Sequence, residues 1–266
     1  MRSAKSPAKH QRTFWADPRL LLLALALAAM PGCITSGPTA KLGVQEGHAS
    51  YVPARIALVG CQLWPEGARF AKLPLTNAKP AELRELCAAT DSYLKTGSQG
   101  QPYMKGYVPE VVVKRLEKAG HGELLGTLPQ IWSHRASDSS DAVNAPAVYN
   151  SSIAPRPEWL LWLNRLSTDV YNADAVLLPF ITYAYDRQYD DSGLQVAERS
   201  AGIVVLLIDT NNGALIWAGG RDAVAANKRL SNGNVPAPLN LPPWTDLNDR
   251  LFIEDLWKEF PGRQVF

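Results

Sequence analysis

The stretch SAGIVVLLIDTNNGALIWAGG, residues 200–220, constrains the fold more than any other part of the chain. Gly202 to Asp209 is rich in β-branched residues, which sit well on a pleated surface. Asn211, Asn212 and Gly213 tolerate positive φ, and Ala214 to Ala218 is a natural return strand, so the stretch predicts a β-hairpin. Just upstream, DAVLLPFITYAY reads as a buried strand interrupted by Pro179. A proline has no N–H for the ladder, so a bulge or a strand edge is expected there. The charged stretch YDRQYDDSG then joins this strand to the hairpin, and the three strands together form an antiparallel meander.

Helices are expected around that meander. In PEWLLWLNRLSTDVYNA, Trp159, Leu160, Trp162, Leu163, Leu166 and Val170 recur at helical spacing, and the paired tryptophans read as core. AELRELCAATDSYL follows Pro80 and places Leu83, Leu86, Cys87 and Tyr93 on one stripe. PEVVVKRLEKAG starts at Pro109, stops at Gly120 and turns Val112, Leu116 and Ala119 inward. The last helix, in TDLNDRLFIEDLWKEF, has Thr245 or Asp246 as its cap and Leu251, Phe252, Asp255, Leu256 and Phe260 on its inner side. RIALVG, residues 55–60, suits a strand buried on both faces. Residues 133–152 have no period and read as a long surface loop, and a second polar loop leads to Pro243. This order of elements predicts an α/β (α+β) fold, a mixed sheet with a C-terminal antiparallel meander covered by amphipathic helices. No repeat or linker divides it, so residues 53–266 are read as one domain.

A helix, then ADAVLLPFITY, then a charged turn, then GIVVLLIDTNNGALIWAGG, resembles the amino-terminal α/β domain of TolB. Similar modules belong to the curli secretion lipoprotein and to lipoproteins that activate peptidoglycan synthases. In those families a strand ends in Asp, a short turn follows, and the return strand reads like Leu-Trp-Ser-Gly. Here the matching residues are Asp209, Asn212 to Gly213, and Ile216 to Gly219. The resemblance is sharp from Asp174 to Gly220 and carries a fold better than a function.

The amino terminus carries an address. Arg2, Lys5, Lys9, Arg12 and Arg19 precede an apolar run from Leu20 to Met30. About eleven residues are too few to span a bilayer and fit the core of an export signal. Pro31, Gly32 and Cys33 follow, and the stretch resembles a bacterial lipobox, with Met30 and Pro31 departing from the usual pattern. That resemblance implies cleavage after residue 32 and acylation of Cys33 at its thiol and its new amino group. A plain secretory signal, with Cys33 as a spectator, is the alternative. Ile34 stands where an aspartate would retain a lipoprotein at the inner membrane, which implies the periplasmic face of the outer membrane. Residues 33–52 are then the acylated cysteine and a flexible tether.

Without residues 1–32 the chain keeps 22 of its 27 basic and 24 of its 25 acidic residues, a near-neutral balance that offers no footprint for nucleic acid. Cys61 and Cys87 are candidates for a disulfide in an oxidising compartment, or else two separate buried thiols. No nucleophile elbow, phosphate loop or CxxC is present, and no catalytic or cofactor-binding residue is nominated. His121 and His134 stand in or near loops without an organised partner, and His48 lies in the tether. Asp186, Asp190 and Asp191 read as a solvated hairpin tip, because an EF-hand register is missing; no metal is expected. Glu254, Asp255 and Glu259 form a polar helix face. Of eight tryptophans and nine tyrosines, Trp132, Tyr149, Tyr189 and Trp244 fall in predicted loops and are the candidate partner contacts, the alternative being that they cover the core. These readings favour a non-enzymatic lipoprotein that binds another envelope protein or its own copies. A secretion-channel subunit and an envelope hydrolase are the alternatives, the first lacking paired alternating strands and the second a nucleophile with its base.

Overall fold

The hairpin read from the sequence is the spine of a larger sheet. The computed structural model of the protein describes residues 43–64, 79–96, 106–132, 145–230, 238–252, 254–257 and 259–262. These all belong to one unit, Gly37–Phe266. Cys33 and the leader lie outside the described residues, as do His134 and most of the predicted loop 133–152. The described strands are β1 (Gly43–Val44), β2 (Ile56–Leu58), β3 (Gln62–Leu63), β4 (Gly106–Tyr107), β5 (Ala175–Asp191), β6 (Leu194–Asp209) and β7 (Leu215–Leu230). Between them run α1 (Pro80–Thr96), α2 (Pro109–Lys118), α3 (Leu128–Trp132), α4 (Ala145–Val148) and α5 (Pro157–Asp169), with α6 (Trp244–Leu251) after β7.

The seven strands form one mixed sheet in the order β1, β7, β6, β5, β2, β4, with β3 also on β5. β5, β6 and β7 are antiparallel neighbours, β1 is antiparallel to β7, and β2, β3 and β4 add parallel pairings. This is the mixed sheet with an antiparallel C-terminal meander that the sequence predicts.

Alternation along the strands assigns each side chain to one of two cores. Leu177, Val205 and Leu207 face α1 and α6, where Leu86, Trp244, Leu247 and Leu251 pack. Val176, Leu178, Val204 and Leu206 face the opposite layer, built from Val112 and Leu116 of α2 and Trp159, Trp162, Leu163 and Leu166 of α5. Each such side chain contributes about 1.5–3 kcal/mol by leaving water. Some buried polar groups are paired within or across elements. Thr90 Oγ1 donates to Leu86 O at 3.0 Å, and Tyr93 OH donates to Phe252 O at 2.8 Å while its ring stacks on Phe252 at 4.2 Å.

The proline in β5 has its reason in the neighbouring strand. Leu58 pairs with Leu177 and Gln62 with Phe180, so the break between β2 and β3 falls beside Pro179, where a ladder donor is missing. The bulge itself comes later, between Ile181 and Tyr183.

Several boundaries differ from the sequence reading. The charged stretch Tyr185–Asp191 is strand, not turn, and the reversal needs only Ser192 and Gly193, at φ 49° and 84°, the two positive values that a type I′ turn requires. β7 likewise runs on to Leu230 through residues expected in a loop, because β6 offers it a partner along its whole length. At the other hairpin only Gly213 takes positive φ; the Asp209 carboxylate accepts the Asn211 N–H and the Asn212 side-chain oxygen accepts the Ala214 N–H, each closing a side-chain turn. Helix α6 starts at Trp244, with Pro243 rather than Thr245 or Asp246 at its cap, and ends at Leu251 before a short 3-10 turn, Glu254–Trp257. Ala119 and Leu160 are exposed rather than inward, since each lies off the buried stripe of its helix.

Part of the stretch read as a tether, residues 43–52, is folded. Gly43 and Val44 pair with Ala218 and Trp217, Gln45 N–H donates to Ile216 O at 2.9 Å, and Val44 and Tyr51 pack on the core. Residues 43–52 are therefore part of the folded body.

Candidate interaction groove

Where the two helical layers meet beyond the β2–β4 side of the sheet, α1 and α2 leave a groove of about 680 Å³ between them. From α1 it receives Ala88, Asp91, Ser92 and Lys95; from α2, Pro109, Glu110, Val113, Lys114 and Glu117. The helix periods explain the set. Ala88, Asp91, Ser92 and Lys95 recur at three or four residues and line one stripe of α1, next to the stripe that carries Leu86 and Tyr93 into the core. On α2, Val112 and Leu116 are buried, so the neighbouring Val113 turns outward and stays 41% exposed.

Asp91 is the anchored group of this groove. Its Oδ1 accepts the Cys61 N–H at 2.6 Å, and Gly60 has so little room that an added Cβ would stand 3.3 Å from Asp91 Oδ2. Four residues earlier on α1, one helical turn away, Cys87 is bonded to Cys61, with their Cα atoms 5.2 Å apart. Disulfide and carboxylate thus fasten α1 to the elbow between β2 and β3. Burial pushes the Asp91 carboxyl above its ordinary range, the Cys61 N–H opposes that, and Glu110 adds to it. At the rim, Lys95 Nζ donates to Glu110 Oε1 at 2.7 Å, which joins α1 to α2 and lowers the Glu110 pKa through that hydrogen bond. The result is a shallow cleft with apolar Ala88, Pro109 and Val113 between charges of both signs.

The aromatic residues expected to make partner contacts are placed elsewhere. Trp132, Tyr149 and Trp244 are 2%, 0% and 0% exposed, and a side chain closed off from solvent has no face to offer a partner. Trp132 packs among Trp64, Tyr149, Trp159 and Phe180. Tyr149 lies in a helical turn, Tyr149–Ile153, within the stretch read as loop; its OH donates to Gly213 O at 2.5 Å and accepts from Trp159 Nε1 at 2.9 Å. Trp244 lies under the Arg199 guanidinium, 4.3 Å from the ring. Tyr189 alone among the four is on the surface, at 38% exposure.

The charged groups singled out in the sequence are also dispersed. Asp186 lies in β5, 3.2 Å from Arg199 Nε, and burial raises its pKa against the pull of that arginine. Arg199 further donates to Glu82 Oε1 and Pro242 O, at 3.0 and 2.8 Å, and so ties the strands to α1 and to the approach to α6. Asp190 and Asp191 are exposed at the far end of the hairpin. His121, expected to stand alone, has its Nδ1 2.6 Å from Asp169 Oδ2, joining the ends of α2 and α5. His48 packs its ring edge against Tyr51. Among the described residues, no group of three His, Cys, Asp or Glu is arranged to hold a metal ion.

Sequence reasoning missed Asp91. The signal was its spacing, four residues after Cys87 and two before Tyr93, which sets a carboxylate beside the half-buried side of α1.

No family model and no curated protein matches the sequence. Among solved structures, the chain is similar to the lipoprotein GNA1162 from Neisseria meningitidis, at 15% identity and a TM-score of 0.31 over 70% of this chain and 88% of that one. It is also similar to the PelC dodecamer from Paraburkholderia phytofirmans, at 13% identity and a TM-score of 0.30 over 84% and 95% of the two chains. For the LpoB C-terminal domain from Salmonella enterica the identity is 10% and the TM-score 0.29, over 65% and 83%.

Proposed function

We propose that the chain is a non-enzymatic lipoprotein, held through Cys33 at the periplasmic face of the outer membrane, whose α/β domain binds or scaffolds another envelope protein in the α1–α2 groove. The observation that carries this reading is the apolar run from Leu20 to Met30 followed by Pro31, Gly32 and Cys33, with Cys33 ten residues before the first described strand at Gly43. A fatty anchor that close to a folded body makes the body a fixture of a surface, since several acyl chains together hold a protein far more firmly than one. The groove supports the rest, because it offers apolar contact at Val113 within a ring of charges and is braced from behind by the Cys61–Cys87 bridge.

Photocrosslinking in intact cells tests the reading. A photoreactive amino acid in place of Val113 should give a discrete adduct with an envelope protein, while one in place of Asn211, on an exposed turn, should not. Absence of an adduct from Val113, or equal adducts from both positions, would remove the groove from the proposal.

A further inference from the structure

The strands β5, β6 and β7 are 17, 16 and 16 residues long, far longer than the helical layers require. Their outer halves form a three-stranded ribbon, which ends at the Ser192–Gly193 turn and at Leu230. β1 runs antiparallel to β7, with Gly43 opposite Ala218 and Val44 opposite Trp217, so the amino-terminal end of β1 points the way β7 runs out to its end.

The lengths then compete. From Ala218 to Leu230 the strand advances twelve residues, about 40 Å. Cys33 precedes Gly43 by ten residues, which reach at most about 36 Å even when fully extended. A ribbon about as long as the tether brings its end to the surface to which the tether is fixed whenever the ribbon points toward that surface.

The ribbon's end is built for such a place. Register puts Tyr189, Val196 and Lys228 across from one another, and next to them Asp191, Leu194 and Leu230, all on one face. Leu230 is 70% exposed and Tyr189 38%. The Arg187 guanidinium lies 4.7 Å from the Tyr189 ring. Lys228 and Arg229 balance the carboxylates of Asp190 and Asp191, so the end carries no net charge against a headgroup layer. A tyrosine and a leucine flanked by long cations are the residues that settle at a membrane–water boundary, rings and methyls inward and charges outward.

We propose that the end of the β5–β6–β7 ribbon rests in the headgroup layer of the membrane that holds the anchor, with Tyr189 and Leu230 as its apolar contacts. This rests on reading Cys33 as the attachment point. The test therefore supplies the attachment chemically: the mature chain starting at Cys33 is coupled through that thiol to a maleimide-bearing lipid in vesicles of phosphatidylethanolamine and phosphatidylglycerol. Surface tyrosines are iodinated on vesicles and in solution and read by mass spectrometry. Tyr171 is the internal control, being 44% exposed and lying before the start of β5, at the opposite end of that strand. Labelling of Tyr189 should fall severalfold on vesicles with Tyr171 unchanged. Equal labelling of Tyr189 on vesicles and in solution would overturn the proposal, as would an equal loss at both tyrosines. Protection of Tyr189 in solution that grows with protein concentration would overturn it in favour of a second copy. Whether the host acylates Cys33 is a separate measurement, so failure of the anchor and failure of the ribbon contact are distinguishable.

Discussion

Replacing Tyr149 by phenylalanine separates a core residue from a partner contact. Its hydroxyl donates to Gly213 O at 2.5 Å and receives the Trp159 indole N–H at 2.9 Å, in a site with 0% exposure. The Tyr149→Phe ring still fills the space, so no cavity opens. What is lost is a hydrogen bond worth about 1 kcal/mol, and what is added is a buried indole N–H without an acceptor, costing about 1–3 kcal/mol. The expected destabilisation is about 2–4 kcal/mol, read as a lower urea midpoint at unchanged slope. A double-mutant cycle sharpens the test: with Trp159→Phe the orphaned donor is gone, so the double variant should lose less than the sum of the two single ones. A loss below about 0.5 kcal/mol for Tyr149→Phe, the range of ordinary surface changes, would refute the reasoning and restore Tyr149 as a candidate contact.

Asp91→Ala leaves the Cys61 N–H without its acceptor and should cost about 1–3 kcal/mol by urea unfolding, whereas Asp91→Asn keeps an oxygen in place and should cost far less. Burial raises the Asp91 pKa in the folded chain above its ordinary 3.8, so the stability this carboxyl contributes is full below that value and lost as pH rises toward the folded value. Unfolding titrations of the Asp91→Asn variant should accordingly gain on the native chain as pH rises through this window; a difference that is flat with pH would contradict the assignment. Breaking the Cys61–Cys87 bond, by Cys→Ser at both positions, opens a 26-residue loop and should lower stability by about 3 kcal/mol, with the groove residues of α1 showing faster amide exchange than those of α5.

The sheet was legible because its signals are local and strong. An apolar, β-branched run closed by Asn-Asn-Gly predicts a hairpin from any viewpoint, and the stripe Trp159, Trp162, Leu163, Leu166 predicts a buried helix face. Charge alone points Tyr185–Asp191 toward a turn, and in the structure it is strand. The alternation of Tyr183, Tyr185, Arg187 and Tyr189 was already that of a strand, which the long β6 partner then makes real. The aromatic residues failed for the opposite reason. Trp132, Tyr149 and Trp244 sit in stretches without periodicity, and nothing local tells a surface loop from a segment folded over a core. Only the tertiary arrangement, Tyr149 reaching Gly213 across 64 residues, decides it. The groove was invisible for the same reason, since it exists only where α1 and α2, 15 residues apart at Lys95 and Glu110, come side by side.

The most direct test is the mature amino terminus of the native protein from its own host, read by mass spectrometry after flotation of the envelope membranes. A peptide that starts at Cys33 and carries fatty acyl groups, recovered with the outer-membrane fraction, is what a surface-fixed binding domain requires. A mature chain that starts elsewhere, or a Cys33 without acyl groups in the soluble fraction, would contradict it.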